Sequence, residues 1–212
     1  MLAVLFDLDG TLLDSLGVWA KIDREFFHQN GLEMPADYAA SISGLSFIQT
    51  AEYTKNRFGL SESAEEIAAV WHEMCKDEYA NSVLLKPGAD VYLKKLRQSG
   101  KKLAVVTTLT RELYEPVLRR NQVYDLFDAF ATTDESGQEK SSGEVYRLAA
   151  KKLNVQNADC AVFEDICEGI EGAKRAGMCA CLVYDKHNRR TEDAKKLCDH
   201  YIETYQGLEL WI

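Results

Sequence analysis

Residues 2–15 read LAVLFDLDGTLLDS, and the order of apolar and acidic residues there decides how the rest of the chain is read. Residues 2–6 are apolar at every position and do not alternate, the pattern of a short strand buried on both faces. Such strands belong to parallel sheets, and this one runs without a break into Asp7-Leu8-Asp9-Gly10-Thr11. Comparable runs recur at residues 102–107 (KLAVVT), 160–163 (CAVF) and 179–184 (CACLVY), with a weaker one at 127–132. Between them, apolar residues take helical spacing at 89–98, 111–121, 143–153 and 168–176, and Gly100 and Gly177 are set to stop two of these helices. Strand alternating with helix predicts an α/β fold, a Rossmann-like parallel sheet sandwiched by helices.

Residues 15–85 depart from that rhythm. Their spacing is helical at 16–30, 47–58 and 64–79, broken by Asn30-Gly31, Pro35 and Gly59, and Lys86-Pro87-Gly88 forms a turn before the alternation resumes. The expected organisation is a core built from residues 1–14 and 86–212, with an α-helical cap domain, 15–85, inserted after the first strand.

At 212 residues, 46% of them hydrophobic, the chain has the size for a core plus a modest insert. Its net charge of -9 argues against nucleic acid and anionic membranes, which reward clustered Lys and Arg. An anionic ligand then needs local positive charge, from a metal ion or a few placed side chains. The six cysteines (Cys75, Cys160, Cys167, Cys179, Cys181, Cys198) include no C-x-x-C pair. They read as small core residues of a protein in a reducing compartment. No signal-peptide pattern precedes Asp7 and no apolar run approaches membrane-spanning length, so a cytoplasmic location is expected.

Ligands of an open parallel sheet bind beyond the carboxyl ends of its strands. The first strand ends in Asp7 and Asp9, the second in Thr107-Thr108 and the fourth in Glu164-Asp165, while Lys140 lies in the polar stretch ESGQEKSSG after the third. Brought to one rim, these supply carboxylates, a hydroxyl and an ammonium, an inventory for a hard divalent cation and a phosphoryl group. Residues at i and i+2 of an extended chain share a side, so Asp7 and Asp9 reach the same ligand. Each residue taken singly has an ordinary reading. Asp7 and Asp9 pass for solvated acids before a turn at Gly10, Glu164-Asp165 for a helix N-cap pair, Thr107 for a strand end, and Lys140 for one of 25 basic residues. Asp14 and Ser15 are expected to hold the turn and cap the next helix.

Together these residues resemble a known family. FDLDGTLLDS (6–15) resembles the first motif of the haloacid dehalogenase superfamily, AVVTT (104–108) its second, and Lys140 the lysine of its third. VFEDICEGIEGAKRAGM (162–178) resembles the fourth motif of the subgroup that contains β-phosphoglucomutase and its phosphatase relatives, and the insert stands where that subgroup has its helical cap. The resemblance implies a magnesium-dependent phosphatase. Asp7 would attack phosphorus and carry an aspartyl-phosphate; Asp9 would protonate the leaving oxygen, then deprotonate the attacking water. Thr107 and the backbone N–H of Thr108 would bind phosphoryl oxygens, and Lys140 would neutralise charge beside Asp7. Mg2+ would be held by Asp7, the Asp9 carbonyl and Asp165, with Glu164 at or near its shell. The family's usual Lys-Pro-x-Pro is here Lys140-Ser141-Ser142-Gly143.

In the mutase relatives a cap arginine grips the distant phosphate and a cap histidine helps gate closure. Those positions fall on Phe47, within Gly44-Leu45-Ser46-Phe47, and near Trp19. Neither residue holds a phosphate dianion by charge, so Trp19 and Phe47 are expected to meet an apolar or ring face of the substrate, or else to pack the cap. The expected partner is a small phosphorylated metabolite of the sugar or polyol phosphate class, and no feature calls for a second copy of the chain. Asp9 argues against a dehalogenase, whose halide needs no proton. No motif singles out Lys21 or Lys55 as the Schiff-base lysine of a phosphonatase. A β-phosphoglucomutase-type hexose-phosphate mutase is the main alternative, and an inactive binding protein on the same scaffold the remote one.

Overall fold

The buried apolar runs form the centre of one sheet. In the computed structural model, which describes residues 1–42, 47–188 and 190–210, the strands are β1 (Ala3–Phe6), β2 (Lys102–Thr107), β3 (Ala129–Thr132), β4 (Cys160–Glu164), β5 (Cys179–Val183) and β6 (His200–Ile202). They run in the order β3-β2-β1-β4-β5-β6, and every neighbouring pair is parallel. β1 and β4 are buried at every residue, which is why neither alternates in sequence. The order of connection reverses between β1 and β4, and the crevice for a ligand opens where it reverses.

The chain divides into two units, Met1–Ser15 with Val83–Ile212, and Leu16–Ser82. The second holds α1 (Leu16–Gln29), α2 (Tyr38–Ser41), α3 (Phe47–Phe58) and α4 (Ala64–Asn81). Its interior is aromatic. Phe26 meets Trp71 edge-on at 5.1 Å, and Phe27 meets both Tyr38 and Phe58 at 4.8 Å. A capping box of Ser63 and Glu66 starts α4. Among the described residues no helix is long and apolar enough to cross a membrane.

The first unit holds α5 (Ala89–Gln98), α6 (Arg111–Arg120), α7 (Thr133–Ser136), α8 (Glu144–Leu153), α9 (Cys167–Arg175) and α10 (Thr191–Leu197). The segments before and after the insert pair with each other: Leu13 bridges Leu85 antiparallel, and the Asp14 and Lys86 amides donate to the Leu84 and Leu12 carbonyls. β6 and α10 carry no signal read from the sequence. β6 is three residues at the sheet edge, too short for a periodicity, and α10 has a single fully buried side chain, Ala194. β3 begins at Ala129 rather than 127, because Tyr124–Leu126 is a 3₁₀ turn that Phe127 closes. All six cysteines are free thiols. Four are buried, and burial pushes the Cys160 thiol up to about 11.

Candidate active site

Asp7 is the first residue past β1, and its amide donates to the Phe163 carbonyl at 3.0 Å, extending the ladder with β4 by one bond. That bond sets Asp7 beside the end of β4, where Glu164 is the last strand residue and Asp165 the next. Carboxylate oxygens of Asp7, Glu164 and Asp165 lie within 4.8 Å of one another, and all three residues are buried. The Lys140 amine, 6% exposed, donates to Asp7 Oδ1 at 2.5 Å and to Glu164 Oε1 at 2.6 Å. Lys140 heads a 3₁₀ turn, Lys140–Ser142, between β3 and α8.

Two neighbours with no role assigned from the sequence complete the cluster. Tyr146, fully buried in α8, donates its hydroxyl to Glu164 Oε1 at 2.8 Å, and Thr11 Oγ1 donates to Asp165 Oδ1 at 3.2 Å. Glu164 Oε2 and Asp165 Oδ2 are buried and accept no hydrogen bond, an arrangement that costs free energy without a ligand. Three carboxyl groups beside one ammonium make an all-oxygen donor set that is net negative once they ionise, and that is what a hard divalent cation takes. The residues present therefore fit magnesium.

The electrostatics follow from burial. Desolvation, then the neighbouring Asp7, push Glu164 up to about 7. Burial with Asp7 and Glu164 raises Asp165 well above the ordinary carboxylate range. Burial alone would lower the Lys140 amine, but the Asp7 and Glu164 carboxylates outweigh it and hold the lysine protonated.

On the other side of β1, Thr107 ends β2, buried, and its Oγ1 accepts the Leu109 N–H at 3.0 Å. That bond turns the hydroxyl so that its proton is left to donate. Thr108, next along, is exposed. Asp9 is part-buried and accepts from Ser15 Oγ at 2.5 Å. Ser15, expected to serve the turn and the helix start, thus reaches an acid of the site. Asn188 donates its side-chain amide to the Asp165 carbonyl, and Lys86 pairs with buried Asp185 at 2.9 Å.

Asp7, Lys140, Glu164 and Asp165 are joined by hydrogen bonds and proximity at the ends of β1 and β4. Trp19 lies in α1 of the helical unit, packed edge-on to Tyr79 at a ring distance of 6.5 Å. Phe47 is the first residue of α3; its side chain, and Gly44-Leu45-Ser46, lie outside the described residues. Lys21 is ion-paired with Glu78, which raises its pKa; a Schiff-base nucleophile needs the neutral amine instead. Thr11 stands inside the first motif and Tyr146 six residues past Lys140, but neither position says in sequence which acid it meets. Nothing in the sequence marks Asn188.

Residues 4–183 match the family described as haloacid dehalogenase-like hydrolase. Over 92% of its length the chain is 31% identical to the validoxylamine A 7′-phosphate phosphatase of Streptomyces hygroscopicus subsp. limoneus, covering 89% of that protein. A phosphorylated carbohydrates phosphatase of Thermotoga maritima is 30% identical over 84% of this chain and 82% of its own. Among solved structures, the HAD hydrolase, family IA, variant 3, of Entamoeba histolytica matches with a TM-score of 0.84 at 23% identity, covering 99% of this chain and 96% of that one. At that identity the likeness concerns the fold.

Proposed function

The chain belongs to the haloacid dehalogenase-like hydrolase family, and from that membership we propose that it is a magnesium-dependent phosphatase acting on a small sugar- or polyol-type phosphomonoester. The observation that carries the proposal is the buried Lys140 amine, bonded at once to Asp7 and Glu164 with Asp165 in the same cluster. The two relatives named as phosphatases of a phosphorylated carbohydrate and of validoxylamine A 7′-phosphate support the substrate class.

The chemistry follows from residue types and positions. An Asp7 oxygen attacks phosphorus in line, the bond to the leaving oxygen breaks, and Asp9 gives that oxygen its proton. Water then attacks the aspartyl-phosphate, Asp9 takes the proton back, and phosphate leaves with the carboxylate of Asp7 restored. Lys140, the Thr107 hydroxyl and the Thr108 N–H hold the phosphoryl oxygens while charge spreads over them. Magnesium, held by Asp7, the Asp9 carbonyl and Asp165, supplies further counter-charge when bound. Glu164 would stand at or near that shell. One of its oxygens serves Lys140 and Tyr146, and a Cβ placed at Gly169 would come 2.5 Å from the other.

Three expectations test this account. A panel of phosphometabolites should release phosphate with magnesium and none with chelator; no release from any member would favour a binding protein on the same scaffold. On β-glucose 1-phosphate, hexose 6-phosphate formed without free phosphate would favour the mutase, against which the uncharged Trp19 and Phe47 stand. Ser15→Ala removes the hydrogen bond that Ser15 Oγ gives the Asp9 carboxylate, and steady-state kinetics should show kcat down by about tenfold with KM little changed; unchanged kcat would remove Ser15 from the site.

Metal-free stability should depend on pH in a definite direction. The folded state keeps a proton on Glu164 up to about 7, whereas the unfolded carboxyl loses it near its ordinary 4.5. Between those values the folded state binds more protons, so stability falls as pH rises. Millimolar magnesium should restore the melting temperature most at the upper end of that window. A melting temperature indifferent to both pH and magnesium would contradict a cation site at Asp7 and Asp165.

A further inference from the structure

Lys140 is followed by Ser141-Ser142-Gly143, so no proline ring restrains the turn that carries it. Gly143, at φ +85°, adds freedom rather than removing it. Local bonds account for part of the order: the Ser142 amide and hydroxyl both donate to the Glu139 carbonyl, at 3.1 and 2.7 Å, and the Gly143 amide donates to Lys140 O at 3.0 Å. These close the turn but do not fix it to the sheet, where Asp7 and Glu164 stand.

The anchor is helix α9. A Cβ built on Gly172 would come 1.8 Å from the Lys140 carbonyl oxygen and 2.9 Å from a ring carbon of Tyr146. A Cβ built on Gly143 would come 2.8 Å from the Gly172 carbonyl oxygen. The turn and the helix therefore meet backbone to backbone, with the carbonyl of Lys140 itself seated in the notch. Arg147 of α8 stitches the seam, donating to Ser142 O at 3.4 Å and to Arg175 O at 2.5 Å. Gly169 lies three residues before Gly172, on the same helix face. A Cβ there would come 2.3 Å from the Glu164 carboxyl carbon. Both members of the Lys140–Glu164 pair thus rest on one glycine face.

We propose that the Gly169–Gly172 face of α9 is the positioning device for the Lys140–Glu164 pair, doing by close packing what restrained turn residues would otherwise do. Gly172 touches no substrate and acts through Lys140. The proposal rests on the role given to Lys140 above.

The test compares Gly172→Ala, Lys140→Ala and the double variant with the unaltered protein. The added methyl has to push the turn outward, and a displacement of about 1 Å is expected to lower kcat by about 10²-fold. In the Lys140→Ala background the same methyl should cost less than about twofold, since residues acting through one another are not additive. Equal losses in both backgrounds, or no loss in either, would overturn the proposal. A readout free of catalysis is acetylation by acetic anhydride, followed lysine by lysine by mass spectrometry. Lys140 should be among the slowest sites in the unaltered protein, and about tenfold faster in Gly172→Ala with the other lysines unchanged. Lys140 still protected in Gly172→Ala contradicts the notch. Arg147→Gln, which adds nothing to the notch, should move Lys140 labelling the same way and serves if Gly172→Ala does not fold; unchanged labelling there would also overturn the proposal. If the unaltered protein hydrolyses no phosphomonoester yet the labelling shifts as described, the phosphatase assignment fails and the positioning device stands.

Discussion

Asp7→Asn is expected to lower kcat by about 10⁴-fold or more, because the amide cannot attack phosphorus or leave as a carboxylate. The substitution is close to isosteric, and its structural cost should be small. Lys140 keeps its bond to Glu164 at 2.6 Å, so no buried ammonium is stranded. Removing the Asp7 charge also relieves its repulsion of Glu164 and Asp165, which raises both of their pKa values. The metal-free melting temperature should therefore hold steady or rise while turnover disappears. Single-turnover phosphate release and a thermal melt on the same preparation separate the two effects. Activity within about tenfold of the unaltered protein would remove Asp7 from the nucleophile's role.

Lys140→Ala should act on both activity and stability. Loss of an ammonium that meets the phosphoryl charge in a buried site is expected to lower kcat by about 10³-fold. It also leaves the Asp7 and Glu164 carboxylates buried without their cation, and breaking a buried pair from one side costs about 3–5 kcal/mol. The sign of the pH dependence follows from which groups titrate. Lys140 is raised above its ordinary 10.5, so its contribution is fully present below that value and is lost only above it. Across acidic to neutral pH the penalty in the variant reports the stranded Glu164 carboxylate, which takes up a proton as pH falls. Urea unfolding should find the variant destabilised more at about pH 8 than at about pH 5. A penalty independent of pH would mean the pair is not buried as described.

How much of this was legible in the sequence differs by element, for physical reasons. β1, β2, β4 and β5 announce themselves because both faces are buried and every position is apolar or nearly so. β6 does not: His200-Tyr201-Ile202 is an edge strand whose place is set by pairing with β5 rather than by its own pattern. The charged centre was legible as a motif. Its supporting contacts were not, since Thr11 meets Asp165 across 154 positions and Tyr146 meets Glu164 across 18. Gly172 is the extreme case. In sequence it is one glycine in a helix, where glycine is usually a liability, and only the Lys140 carbonyl against it supplies a reason. Ser15 has the sequence position of a turn and cap residue, and its partner, Asp9, lies six residues back through a turn whose geometry the letters do not specify.

The phosphatase proposal stands on Asp7 as the carrier of the phosphoryl group. The most direct measurement takes a phosphomonoester the protein turns over, quenches the reaction in acid during steady state, reduces the protein with borohydride and maps the peptides by mass spectrometry. An aspartyl-phosphate is reduced to homoserine, and homoserine is expected at position 7 alone, absent without substrate and absent from Asp7→Asn. Robust phosphate release with Asp7 unmodified, or with the reduced residue elsewhere in the chain, would contradict it.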